Sequence, residues 1–151
     1  MTERRYLEDL AVGQITNTGC AVVSEAEMVE FATRYDPQPL HTNVEFASHG
    51  PFHGLVASGW HTAAIVMRLI VDARPMGGTP LLGLGVEDLR WPNPVRPGDE
   101  LTAEIEVVSI APSSSQPNYG AVRLKVTAQN KLGQVVFQMT PSVWIPRRPG
   151  E

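Results

Sequence analysis

The sequence predicts a single α+β domain over residues 1–151, with one curved antiparallel sheet wrapped around a long central helix. Three observations predict it. The second half of the chain alternates apolar and polar residues in successive strand-length runs. A long window at 55–72 is apolar on almost every side, so it must be covered over most of its surface. A β-like stretch and a capped amphipathic helix come before that window. The expected order is strand, helix, irregular flap, buried helix and about four antiparallel strands.

Residues 13–23, rich in Ile, Thr and Val, read as the first strand. Ser24-Glu25-Ala26-Glu27 is a capping box that starts a helix, with Val23 and Met28 at the staple positions. Met28, Phe31, Ala32 and Tyr35 follow the i, i+3, i+4, i+7 rule. The helix should stop at Tyr35 or Asp36, because Pro37 pushes Asp36 out of the α region. Residues 36–53, with Pro37, Pro39 and Pro51, read as an irregular excursion with a helical turn near 44–47. The long helix is expected over 55–72, followed by a loop at 77–80. Strands are expected at 81–91, 101–109, 119–130 and 135–145, with a turn-rich link at 93–99 and a hairpin at 130–134. Pro141 inside the last strand predicts a bulge or an edge position. Cys20 in the first strand is expected to be buried and inert. The architecture is that of the hotdog fold, although periodicity alone leaves other α+β sheets open.

Composition narrows the function. The chain is 42% hydrophobic and 19% charged, enough apolar content for a core and too little charge for a disordered chain. The net charge is −4 and no Lys/Arg run exceeds a pair, which argues against a nucleic-acid partner. One cysteine excludes an internal disulfide framework and a multi-cysteine zinc site, and fits a reducing, cytoplasmic setting. The charged opening MTERRYLEDL is unlike a signal peptide. A membrane span wants about 20 predominantly apolar residues. The 55–71 stretch is interrupted by Ser58, His61, Thr62 and Arg68, so no membrane partner is expected.

The segment that carries chemistry is Tyr35-Asp36-Pro37-Gln38-Pro39-Leu40-His41. On a helix, Asp36 and His41 would stand about 140° apart. The two prolines are expected to forbid a helix and make a stiff, bent tether. Such a tether can bring a carboxylate and an imidazole to one point, where they can orient and activate one water. The second piece, His53-Gly54-Leu55-Val56-Ala57-Ser58-Gly59-Trp60, lies at the expected start of the long helix. Unpaired N–H groups and the positive end of the dipole gather there, a place for a carbonyl oxygen that gains negative charge. Gly59 lacks a side chain, so a substrate could approach its backbone closely.

FATRYDPQPLHTN, then FHGLVASGWHTAA, then WPNPVRPGDEL resemble the MaoC-like dehydratases, which include the (R)-specific enoyl-CoA hydratases. The resemblance runs over roughly residues 5–145. It implies a hotdog fold, a homodimer or higher homo-oligomer, and addition of water to a trans-2-enoyl-CoA thioester or its removal from a 3-hydroxyacyl-CoA. By resemblance Asp36 and His41 are catalytic and hold the water, and the Gly59 amide donates to the thioester carbonyl. Trp60, Ser58 and His53 are the expected substrate contacts. No metal and no cofactor are expected, coenzyme A being part of the substrate.

Departures from the family pattern concern the substrate more than the reaction. Ser58 replaces a frequent histidine, Trp60 a methionine and Asn43 a frequent aspartate, while Met67 stands where some hydratases carry a serine. Trp60 is expected to shorten or reshape the acyl pocket. Arg90 and Arg96 are further candidates, for the phosphates of coenzyme A. Two other readings stay open. One is an acyl-CoA thioesterase, although such hotdog proteins usually carry a carboxylate on the central helix and this one offers none before Asp72. The other is a non-catalytic acyl-CoA-binding subunit.

Overall fold

The alternating runs of the second half do become strands in the computed structural model, which describes residues 3–150. The elements are β1 (Ile15–Val22), α1 (Glu25–Tyr35), the single turns α2 (Pro39–Thr42) and α3 (Val44–Ser48), and the long helix α4 (Gly59–Ala73). Then follow β2 (Leu82–Arg90), β3 (Glu100–Pro112), β4 (Tyr119–Gln129) and β5 (Val135–Pro146). They form one antiparallel sheet in the order β1-β3-β4-β5-β2, with β1 and β2 at the edges. This is the expected hotdog arrangement.

The alternation sets which face is dry. Leu101, Ala103, Ile105 and Val107 of β3 and Val122, Leu124, Val126 and Ala128 of β4 are all buried, pairing across the ladder at Ala103↔Ala128 and Ile105↔Val126. Against this face lie Val66, Leu69 and Ile70 of α4, and Met28 of α1 joins the same core. Asn130 closes the β4–β5 hairpin, its side chain accepting from the amides of Leu132 and Gln134 at 3.0 Å each.

Three local expectations need correction, and a fourth holds in one of its two forms. The long helix begins at Gly59, not near residue 55, because residues 55–58 form no helical turn and two of their amides are bonded elsewhere. The Val56 amide donates to the Leu40 carbonyl at 3.3 Å and the Ala57 amide to the Val95 carbonyl at 2.9 Å. Pro39 does not forbid a helix; it starts one, at the first position where its missing N–H costs nothing. Pro141 lies in an interior strand and not at an edge, while the bulge alternative holds: its pairing with Val86 stands between register shifts at Gly83/Gly85 and Glu87/Arg90 of β2. Cys20 is exposed, because it faces away from the core against which its neighbour Ala21 packs.

The cover expected over α4 is also incomplete. Trp60, Met67 and Val71 remain 59%, 42% and 52% exposed, and they lie along one stripe of the helix. Leu82, Leu84 and Val86 on edge strand β2 are exposed as well. Among the described residues, no helix is long and apolar enough to cross a membrane.

Candidate active site

α1 ends where Asp36 leaves the helical region at φ −152°, ψ 67°. The Ser24 hydroxyl caps its other end, accepting from the Glu27 amide at 3.2 Å. Asp36 therefore projects from a helix end fixed by Met28 and Ala32, both fully buried. Five residues later His41 stands on the single turn α2. Its Nδ1 lies 2.8 Å from the Val56 carbonyl. A carbonyl can only accept, so Nδ1 carries a proton, and it is Nε2 that can present a lone pair. That Nε2 faces Asp36 Oδ2 at 3.5 Å. Two acceptors at this separation suit one water that gives a hydrogen to each.

The carboxylate is held from two sides. Gln38 Nε2 donates to Oδ1 at 2.6 Å and Ser58 Oγ donates to Oδ2 at 2.7 Å. These donors, Gln38 first and then Ser58, hold the Asp36 pKa below the ordinary carboxylate value against partial burial. Asp36 thus stays ionised and fixed in rotation. Ser58→Ala removes one donor to the charged form, so the Asp36 pKa should rise. The acid limb of any Asp36-dependent pH–rate profile is then expected to move to higher pH, and an unmoved limb would show that Ser58 does not tune the carboxylate.

Ser58 was expected to touch substrate. It is fully buried instead, with its hydroxyl committed to Asp36. It is also the residue before α4, so the next amide, that of Gly59, is the first of the helix and has no acceptor within it. Gly59, Asp36 and His41 line one cavity of about 290 Å³, together with Trp60, Trp91 and Thr62. His53, the third expected substrate contact, is exposed and lies outside this lining, in a left-handed turn at φ 56°. The space over Gly59 is not left for a substrate: a Cβ built there would meet Trp91 Cε2 at 2.6 Å. Among the described residues no group of three or more His, Cys, Asp or Glu is placed to hold a metal ion.

The sequence signals for Gln38, Ser58 and Trp91 were faint. Gln38 stands between two prolines, and Ser58 and Trp91 reach their partners only through the tertiary fold.

A scan against family models matches a MaoC-like domain over residues 11–130. The chain belongs to the MaoC-like dehydratase family. It is 31% identical over 141 residues to the uncharacterized protein YdeM of Bacillus subtilis, covering 93% of this chain and 99% of that one. It is 28% identical over 148 residues to an (R)-specific enoyl-CoA hydratase of Rhodospirillum rubrum, covering 95% of this chain and 93% of the relative. Among solved structures, a MaoC-like dehydratase from Rhodospirillum rubrum superposes with a TM-score of 0.88 at 46% identity, covering 96% of this chain and 99% of that one. The hotdog architecture inferred from the β1-β3-β4-β5-β2 order agrees with this MaoC-like neighbour.

One titratable group of this MaoC-like domain lies behind the site. His61 on α4 is 8% exposed, its ring stacked on Phe31 of α1 at 4.7 Å and 9°. Its Nδ1 is buried with no hydrogen-bond partner among the described residues. Burial lowers its pKa, and Glu27 opposes the shift. A lowered folded-state value favours the neutral ring. Its stabilising effect is full above the unfolded value, about 6.5, and is lost as pH falls through the folded value. His61→Phe keeps the stack and removes the proton site. Its Tm is expected to fall less than the parent's between about pH 7 and about pH 5, the range in which histidine titrates; equal falls would clear His61 of that role.

Proposed function

We propose that the chain is a hydro-lyase acting on an acyl-CoA thioester: it adds water across a trans-2-enoyl-CoA, or removes it from the 3-hydroxyacyl-CoA. The observation that carries this reading is Asp36 Oδ2 facing His41 Nε2 at 3.5 Å, in one cavity whose lining includes Gly59, the first residue of α4. Water held by the two acceptors attacks the β-carbon as its proton passes to one of them. The π-electron pair moves toward the thioester, and the oxygen gains enolate charge. The Gly59 N–H donates to that oxygen, and the positive end of α4 adds to the field. A proton returned to the α-carbon completes the 3-hydroxyacyl thioester. Dehydration is the same path reversed.

The family relationship and the hydratase named among the relatives support this class of reaction. The apolar wall of Trp60, Trp91, Val56 and Pro94 suits an acyl group. The thioesterase reading is weaker: the first carboxylate on α4 is Asp72, exposed at its far end and paired with Arg68 at 2.9 Å.

The reading includes a homodimer. The exposed stripe of Trp60, Met67 and Val71 and the exposed β2 edge are surfaces that a second copy would cover. A concavity of about 1020 Å³ beside Met67, Val71 and Leu81 holds neither Asp36 nor His41, so size alone does not make it the reaction site.

The test is turnover of short and medium trans-2-enoyl-CoA thioesters, followed by loss of the conjugated enoyl absorbance. Loss of absorbance without free thiol supports the reading. Release of free thiol would assign a thioesterase. Thermal stabilisation by these thioesters with no turnover would assign a binding subunit.

A further inference from the structure

We propose that Trp91 is a positioning residue that clamps the first peptide units of α4, so that the Gly59 N–H is held in one orientation at the cavity lining. The proposal deepens the hydratase reading and rests on it for its consequence in catalysis.

Gly59 is the hardest place in the helix to hold still. Glycine has more backbone freedom than any other residue, and the first turn of a helix lacks the full set of intrahelical bonds. Trp91 answers both weaknesses. It follows the end of β2 and precedes Pro92, which biases it to extended geometry. Its indole Nε1–H donates to the Gly59 carbonyl at 2.8 Å. Its ring also lies against the Gly59 Cα, with Cε2 2.6 Å and Cδ2 2.9 Å from where a Cβ would stand. The indole is itself braced. Trp60 meets it edge to face at 5.2 Å and 84°, and the fully buried Phe137 lies behind it at 6.4 Å.

The peptide that carries the Gly59 N–H is therefore anchored on both flanks. Before it, the Ser58 hydroxyl is bonded to Asp36. After it, the Gly59 carbonyl is bonded to Trp91. One chain of contacts thus joins the carboxylate, the candidate oxyanion donor and the sheet. An oxyanion donor works because it need not reorganise when charge develops, and a donor free to swing loses that advantage. The glycine is required by the indole, and the indole restrains the glycine.

Trp91→Phe keeps an aromatic ring and removes the N–H. Losing a whole oxyanion donor costs about 10²–10³ in kcat, so loosening one is expected to cost roughly 10-fold, with KM within about twofold of the parent. Leu124→Ala, a core truncation in β4, serves as the control for lost stability alone. A second readout needs no activity: the order parameter of the Gly59 amide by NMR relaxation in the unliganded protein. A value near the rigid range of about 0.85 is expected in the parent, with a clear fall in Trp91→Phe and none in Leu124→Ala. An equally rigid Gly59 amide in Trp91→Phe would overturn the clamp, whatever the protein catalyses. In a parent that turns over enoyl thioesters, an unchanged kcat, or a loss matched by Leu124→Ala, would overturn its part in catalysis. A parent with no turnover would remove the hydratase reading, and the order parameter would still decide the clamp.

Discussion

Asp36→Asn is expected to lower kcat for enoyl-thioester hydration by about 10²–10⁴-fold, the range for a positioned acid–base group, while Tm changes little. The substitution keeps the shape and removes the charge. Both carboxylate oxygens now accept, one from Gln38 Nε2 at 2.6 Å and one from Ser58 Oγ at 2.7 Å. An asparagine can keep the Gln38 bond with its one oxygen, and its NH₂ group can donate to the Ser58 hydroxyl, which accepts as well as donates, so the local bonding survives without the charge. His41 would remain, but the water would lose the acceptor opposite its Nε2. Binding should survive, because the apolar wall of the cavity is untouched. Steady-state kinetics with the short enoyl thioesters check this, and a variant with parental kcat would show that the carboxylate is not the base.

Gly59→Ala carries the second large effect. The added methyl would stand 2.6 Å from Trp91 Cε2 and 2.9 Å from Cδ2, far inside contact distance. Either the indole or the start of α4 must move. Overpacking of this kind costs about 1–3 kcal/mol, which should show as a lower Tm. A shift of about 1 Å at a reacting group can cost about 10²-fold in rate, so kcat is expected to fall by roughly that factor. The cause is separable. In a Trp91→Ala background the methyl has room, and its cost in Tm should nearly vanish, because contacting residues are not additive. The same Tm cost in both backgrounds would mean that something other than the indole requires the glycine.

Most of the sheet was legible because its signal is local. Leu101, Ala103, Ile105 and Val107 alternate with polar neighbours, and that alternation alone fixes which face is dry. The Ser24 cap and the Asp36-Pro37 stop bounded α1 for equally local reasons. The start of α4 was not legible. Leu55, Val56 and Ala57 are as apolar as the helix that follows, and what keeps this stretch out of it is the bonding of the Val56 and Ala57 amides to the Leu40 and Val95 carbonyls, distant in sequence.

The site divides along the same line. The Asp36/His41 pair was visible as a proline-spaced motif, and the structure places the two side chains 3.5 Å apart. The correction to Ser58 and the clamp by Trp91 depend on partners 22 and 32 residues away. Periodicity and motif spacing carry no information about such pairs. The helix was expected to be covered over most of its surface, and the stripe of Trp60, Met67 and Val71 stays exposed because an apolar pattern says that a face prefers cover and not what supplies it.

In the proposed reaction one cavity holds water between Asp36 and His41 while the Gly59 amide holds the thioester oxygen. The most direct test is a crystal structure of the Asp36→Asn variant with a bound trans-2-enoyl-CoA. The thioester oxygen is expected about 3 Å from the Gly59 nitrogen, with the β-carbon facing the space between position 36 and the His41 ring. A thioester seated elsewhere, such as the concavity beside Met67 and Val71, or with its carbonyl turned away from Gly59, would contradict it.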